Sequence, residues 1–392
     1  MSAMNRLGWL CLLGLACGGC SSYCQTPPRS YLADQATPDL VLGQYHLDSR
    51  LQERVLALDP RHVSQQDVRQ VLSRCPAPRI VNIHGGTLLV WRQMRSFSRF
   101  LEAMGYPQRQ IRHPIWGSYS FSCYGSSDKL AGLIAWYYER DGMRPMLIGH
   151  SQGGMEAVKV LHQLCGGFGS SKRVYNPMTG RYEDRDWIVD PLTGRKLSVV
   201  GNVQVSFASA VGAGGLTRFL PNQWSMAGRL RSIPDSACEF TGFYMNADLL
   251  GGDLLGLGSA NAYHATGCAK VRTMLLPLGH EHYFVPFTAH LADDARTRQW
   301  ISQYVADDRP GTITAPAGPA TNIVWAAEMW AAVRRHWCLE VQRLVRAQRE
   351  WRNGPRMAGK AGGGLDVGAD VLGGGAGQCA PGPTADPTLA QP

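Results

Sequence analysis

Pro145-Met146-Leu147-Ile148-Gly149-His150-Ser151-Gln152-Gly153 is the stretch that decides the fold. Pro145–Ile148 is a short apolar run of the kind a buried strand needs, and Gln152–Leu164 carries apolar residues at helical spacing. A serine between glycines at a strand-to-helix junction occupies a sharp turn, with its hydroxyl standing clear of the sheet. Glycines flank it because side chains there would collide with the neighbouring strand and helix. The helix N-terminus beneath offers backbone N–H groups to a developing anion.

Outward from this turn, strands and helices alternate. Upstream, Ser64 with Asp67 makes a capping-box start for a helix ending near Ser73, before Pro76. Arg79–Ile83 is β-rich and runs into His84-Gly85-Gly86-Thr87, Phe97–Met104 has helical spacing and stops at Gly105, and Ile111–Trp116 reads as a strand. Ser127–Arg140 places Leu130, Leu133, Ile134 and Tyr137 on one helix face. Downstream, Val203–Ala208, Phe240–Met245 and Val271–Leu276 read as strands, and Ala289–Val305 as a closing helix. Such alternation predicts an α/β domain over 46–310, with a mostly parallel central sheet flanked by helices. Two segments interrupt it. In 166–198, Asn176-Pro177-Met178-Thr179-Gly180-Arg181 is echoed by Asp190-Pro191-Leu192-Thr193-Gly194-Arg195, which predicts a β-hairpin insertion. The segment 212–238 is irregular and carries Phe219, Leu220, Trp224 and Met226.

The ends differ in composition. Arg6, the apolar run Leu7–Ala16, and then Cys17-Gly18-Gly19-Cys20-Ser21-Ser22 resemble a bacterial lipoprotein signal over 1–20, with Cys20 the lipidated residue and Cys17 the second choice. An ordinary secretory signal is the plainer reading. A polar linker follows over 21–45. Residues 320–352 form one long helix candidate, with Trp330, Val333, Trp337, Val341 and Leu344 on a stripe flanked by arginines. It is expected either to dock its stripe on the domain with the arginines solvated, the preferred reading, or to lie on an anionic membrane. The Gly-, Ala- and Pro-rich tail, 354–392, is expected to be disordered. The 392 residues, 44% of them hydrophobic, suffice for a sizeable core, and a formal net charge of +9 does not by itself indicate nucleic acid. Seven of the eleven cysteines lie beyond residue 24. None of these has metal-site spacing, and their pairing cannot be read from sequence.

With Gly149–Gly153 and His84-Gly85-Gly86, the chain resembles the α/β-hydrolase superfamily, and within it the bacterial lipases and esterases, over roughly Arg79 to Val305. The resemblance implies Ser151 as nucleophile and an oxyanion hole from the N–H groups of Gly86 and Gln152. It implies a base after the last strand: His280 in Gly279-His280 is preferred and His282 is the alternative, while His264 and His290 are set aside. It implies an acid after the preceding strand, with Asp248 preferred over Asp253. The chemistry implied is hydrolysis of lipid or other acyl esters through an acyl-enzyme, without metal or cofactor, by an exported, lipid-anchored protein. The segment 212–238 falls where this fold inserts a cap. An acyltransferase on the same scaffold, or a non-catalytic surface lipoprotein binding lipid or cell-wall material, are the alternatives.

Overall fold

The computed structural model describes residues 47–353, except 88, 215–220, 246, 247, 249, 252–261, 278–280 and 307–321. The signal, Cys20, the linker, the C-terminal tail, Phe219 and Leu220 lie outside the described residues.

Helix α1 (Ser49–Leu56) and α2 (Gln65–Gln70) open the described chain. The Ser64 hydroxyl accepts from the Asp67 N–H while the Asp67 carboxylate accepts from the Ser64 N–H, the capping box expected from the pair. There follow β1 (Ile80–His84), α3 (Val90–Ala103), β2 (Phe121–Ser122), α4 (Ser127–Asp141), β3 (Met146–His150) and α5 (Gln152–Leu164). The strand expected at Ile111–Trp116 is absent. That stretch forms turns behind a short 3₁₀ segment at Gln108–Gln110, and the strand comes later, as the two residues of β2. Only Ile111 and His113 of the run are buried, and Trp116 is exposed.

The expected single hairpin is two: β4 (Tyr175–Asn176) with β5 (Arg181–Tyr182), and β6 (Trp187–Val189) with β7 (Lys196–Ser198). The repeated sequence makes a repeated turn. In each, the glycine N–H donates to the carbonyl of the leading residue, Gly180 to Asn176 and Gly194 to Asp190. The leading side chain also accepts from the backbone two residues on, Met178 N–H on Asn176 and Leu192 N–H on Asp190.

After them come β8 (Phe207–Val211), β9 (Ser232–Ile233), β10 (Glu239–Met245), β11 (His264–Ala265), β12 (Lys270–Leu276), α6 (Ala295–Gln303) and α7 (Ile323–Asn353). The strand foreseen at Val203–Ala208 begins later, at Phe207. The closing helix foreseen as Ala289–Val305 is broken: a 3₁₀ turn, Ala289–Ala292, precedes α6, whose N-terminus Asp294 caps by accepting from Thr297 N–H.

Six strands form one sheet in the order β12-β10-β8-β3-β1-β2, and every pairing in it is parallel. Alternate residues of each strand serve two cores. Met146, Ile148, Phe207, Phe243 and Met274 face α3 and α7; Leu147, Ala208, Ala210 and Phe240 face α4 and α5. Chain order reverses between β1 and β3, because β2 joins one side of β1 and β3 the other. The crevice beyond the strand C-termini at such a reversal is where open α/β sheets place ligands.

The C-terminal helix docks on the domain, as preferred, but its description as an appendage with solvated arginines is corrected. Helix α7 belongs to the core, with Trp325, Trp330 and Trp337 fully buried. It docks through specific bonds: Trp337 Nε1 donates to the Pro76 carbonyl (2.8 Å), and Gln342 Nε2 donates to the carbonyls of Val55 (3.0 Å) and Leu58 (2.9 Å). Several of its arginines are not solvated. Arg335 pairs with Glu239 (2.6 Å), and Arg343 with Glu340 (2.8 Å), which also holds Arg144 (2.7 Å). Burial would raise the Glu340 carboxyl, but Arg343 and Arg144 overcome it and hold the group down at about 2. Among the described residues, no helix is long and apolar enough to cross a membrane.

Candidate active site

Ser151 sits between β3 and α5 with φ 55 and ψ −128. Among described non-glycine residues only Leu89, just before α3, shares a positive φ. Such backbone costs about 1–3 kcal/mol and persists only where its surroundings enforce it. Here the enforcement is visible. Ser151 N–H donates to the Val211 carbonyl (2.8 Å), tying the turn to β8. A methyl on Gly149 would lie 2.2 Å from the Gly153 carbonyl oxygen, and one on Gly153 would lie 2.3 Å from the Ile83 carbonyl oxygen. The flanking glycines are therefore required by contact with backbone, as the motif implied.

His282 Nε2 lies 2.8 Å from Ser151 Oγ, and His282 Nδ1 lies 2.8 Å from Asp248 Oδ2. All three side chains are buried. A carboxylate only accepts, so Nδ1 carries the proton and the Nε2 lone pair faces the serine hydroxyl. Asp248 is itself fixed, its Oδ1 accepting from Gly251 N–H (2.7 Å). The chain Ser151–His282–Asp248 can thus take a proton from the hydroxyl and hold the resulting imidazolium beside a negative charge. The preference for His280 is corrected: His282 fills the base position, and His280 lies outside the described residues, as does Asp253. Asp248 stands where the sequence placed it, after β10.

The loop after β1 closes over the serine. A methyl on Gly85 would lie 2.9 Å from Ser151 Cβ, and one on Gly86 would lie 2.3 Å from Gln152 Oε1. Gly86 and Gln152 are therefore neighbours at the mouth of the turn. Tyr124 braces the loop from outside by donating its hydroxyl to the Gly86 carbonyl (2.9 Å). His84 points elsewhere: its Nδ1 lies 2.9 Å from the Gly85 carbonyl, and burial, partly offset by that contact, lowers its pKa. His264 pairs in the small β9–β11 sheet, away from the triad contacts.

Two residues of the site escaped sequence reasoning. His150 is buried, and its Nε2–H donates to the backbone carbonyl of His282 (2.7 Å). Burial, with smaller charge effects from His282 and His84 and partial opposition from that hydrogen bond, pushes its pKa down to about 3. It is a neutral donor across the ordinary pH range. Gly212, φ +60, packs against the imidazole: a methyl there would lie 2.9 Å from both Cε1 and Nδ1 of His282. His150 stood inside the motif but its partner is 132 residues away, and Gly212 carried no motif at all.

Several large apolar side chains are exposed. Tyr124 lies on Gly86, Leu89 and Trp91 follow the β1 loop in sequence, Phe284 and Phe287 follow His282, and Trp224 is 64% exposed. Trp224 stands on a 3₁₀ segment, Pro221–Met226, whose Gln223 and Met226 point inward. Among the described residues, no three His, Cys, Asp or Glu side chains are grouped to hold a metal ion. Among the described residues, six cysteines, buried Cys75, Cys123 and Cys338 among them, form no disulfide. No protein-family model matches the chain, and no curated protein matches it significantly.

Proposed function

We propose that the protein is a serine ester hydrolase of the α/β-hydrolase kind. The observation that carries this is the Ser151–His282–Asp248 chain of hydrogen bonds, set at a strained turn where the sheet order reverses. Ser151 Oγ attacks the acyl carbonyl as His282 Nε2 takes its proton. The N–H groups of Gly86 and Gln152 receive the oxyanion, a role supported by the contact between those two residues. His282 then protonates the leaving alcohol, the acyl group stays on Ser151, and a water activated by the same imidazole releases it. Asp248 holds the Nδ1–H tautomer throughout. Exposed Tyr124 on Gly86, and the exposed apolar residues that follow the β1 loop and His282 in sequence, favour an ester with an apolar acyl group, which fits a lipase or esterase. Export and lipidation at Cys20 belong to the same proposal and rest on residues 6–22. The matching test is a series of p-nitrophenyl esters of increasing acyl length. Wild type should hydrolyse them and Ser151→Ala should lose at least about a thousandfold in rate. Equal hydrolysis by folded Ser151→Ala would overturn the reading.

A further inference from the structure

A second concavity lies between α2, α6 and α7 and shares no residue with the triad. It is a cavity of about 480 Å³ whose wall includes the guanidinium-bearing residues Arg69, Arg298 and Arg334, together with Gln299, Gln303 and Ser302. No carboxylate lines it among the described residues. Three that lie near in sequence are engaged elsewhere: Asp294 caps α6 by accepting from Thr297 N–H (2.7 Å), Asp67 is occupied by the Ser64 cap, and Asp59 holds His62 (2.6 Å).

Arg334 is the decisive residue. It is only 4% exposed, and its described partners are the backbone carbonyls of Ser302 and Tyr304. Carbonyls satisfy N–H groups but do not balance a charge. Even half-buried guanidinium groups elsewhere on α7 face carboxylates, as Arg343 faces Glu340. Burial without such a partner pulls the Arg334 pKa down to about 10. Among the described residues no carboxylate balances this buried positive charge, and two further arginines stand at the same cavity. Arg298, half-exposed, gives one N–H to the Ala292 carbonyl (3.2 Å) and makes no ion pair among the described residues.

From the convergence of these three arginines on one acid-free cavity we infer a binding site for a phosphoryl group, separate from Ser151. Planar guanidinium forks match the oxygens of a tetrahedral oxyanion, and the amides and hydroxyl of Gln299, Gln303 and Ser302 supply further polar groups. The cavity exceeds a single phosphate ion, so a phosphate ester fits it better than the bare ion. The ester can be a soluble metabolite or a phospholipid headgroup, and the chemistry recognised is the same.

The test is calorimetric titration of the full chain with inorganic phosphate and with glycerol 3-phosphate, against sodium chloride at matched ionic strength. Saturable binding of phosphate is expected, tighter for the ester, and unchanged in Ser151→Ala. Arg69→Gln/Arg298→Gln, which alters two residues outside the core, should weaken it at least about tenfold. Arg334→Lys should abolish the thermal stabilisation that phosphate gives wild type. Co-sedimentation with phosphatidylglycerol but not phosphatidylcholine vesicles, lost in the double variant, assigns the headgroup source. Ester binding without vesicle binding assigns the soluble one. Absence of saturable heat with either phosphate, or equal affinity in the double variant, overturns the site.

Discussion

Replacing Gly212 by alanine tests the site through a residue that performs no chemistry. The added methyl would sit 2.9 Å from Cε1 and Nδ1 of His282, and 3.3 Å from Met245 Cε. Ordinary contact begins near 3.4 Å, so the imidazole must retreat by about half an ångström. It is held at 2.8 Å on both sides, by Ser151 Oγ and Asp248 Oδ2, and cannot retreat while keeping both. A misplacement of about 1 Å can cost about a hundredfold in rate, so half that distance should cost on the order of tenfold. The positive φ of 60 adds about 1–2 kcal/mol of strain, or several degrees in Tm for a chain of this size. Gly194→Ala is the control: its φ of +70 carries the same strain, but nothing lies within 4 Å of the new methyl. Ester hydrolysis and thermal melts on both variants separate the two effects. Both should lose stability, and Gly212→Ala alone should lose about tenfold in kcat with KM little changed. Activity of Gly212→Ala within a few-fold of Gly194→Ala would refute the placement of His282.

Three other outcomes are expected. His150→Phe keeps a ring but removes the donor to the His282 carbonyl, and should lower kcat about tenfold, while His150→Gln, which can restore an N–H donor, should recover most of it; equal losses in both would show packing alone. Glu156, buried on α5 and raised to about 7 mainly by that burial, binds its proton more tightly folded than unfolded, where 4.5 is usual. Its contribution to stability is whole below pH 4.5 and is lost as pH rises towards 7, roughly 3 kcal/mol at most, so Glu156→Gln should flatten the urea-melt stability over that window. Glu340 has the opposite sign: held at about 2, its contribution is present above pH 4.5 and lost as pH falls towards 2. Glu340→Gln, by leaving Arg144 and Arg343 without a counter-charge, should cost about 3–5 kcal/mol in the same melts at pH 7.

What the sequence disclosed follows from how local each signal is. The Gly149–Gly153 turn, α5 and the Ser64 cap depend on neighbours in the chain, and these stand where their residues placed them. The choice between His280 and His282 does not. Two histidines two residues apart differ only in which one the backbone delivers to Ser151, and the anchor that holds His282, the donor on His150, comes from across the sheet. The same holds for α7. Its arginines looked solvated because the carboxylate that receives Arg335 is Glu239 on β10, far away in sequence, and because Glu340 is shared with Arg144 beyond the helix. An amphipathic pattern thus concealed a helix buried on nearly every side. Ile111–Trp116 failed for a different reason: apolar content predicts burial, but a strand also needs a neighbour offering a ladder, and that edge of the sheet is only two residues of β2.

Reaction of the full chain with a fluorophosphonate probe tests the triad most directly, because it reports the nucleophilicity of one hydroxyl and needs no knowledge of substrate. Wild type and His280→Ala should be labelled at similar rates, Ser151→Ala not at all, and His282→Ala at least about a hundredfold more slowly. Labelling of Ser151→Ala at the wild-type rate, or no labelling of folded wild type, would contradict the account.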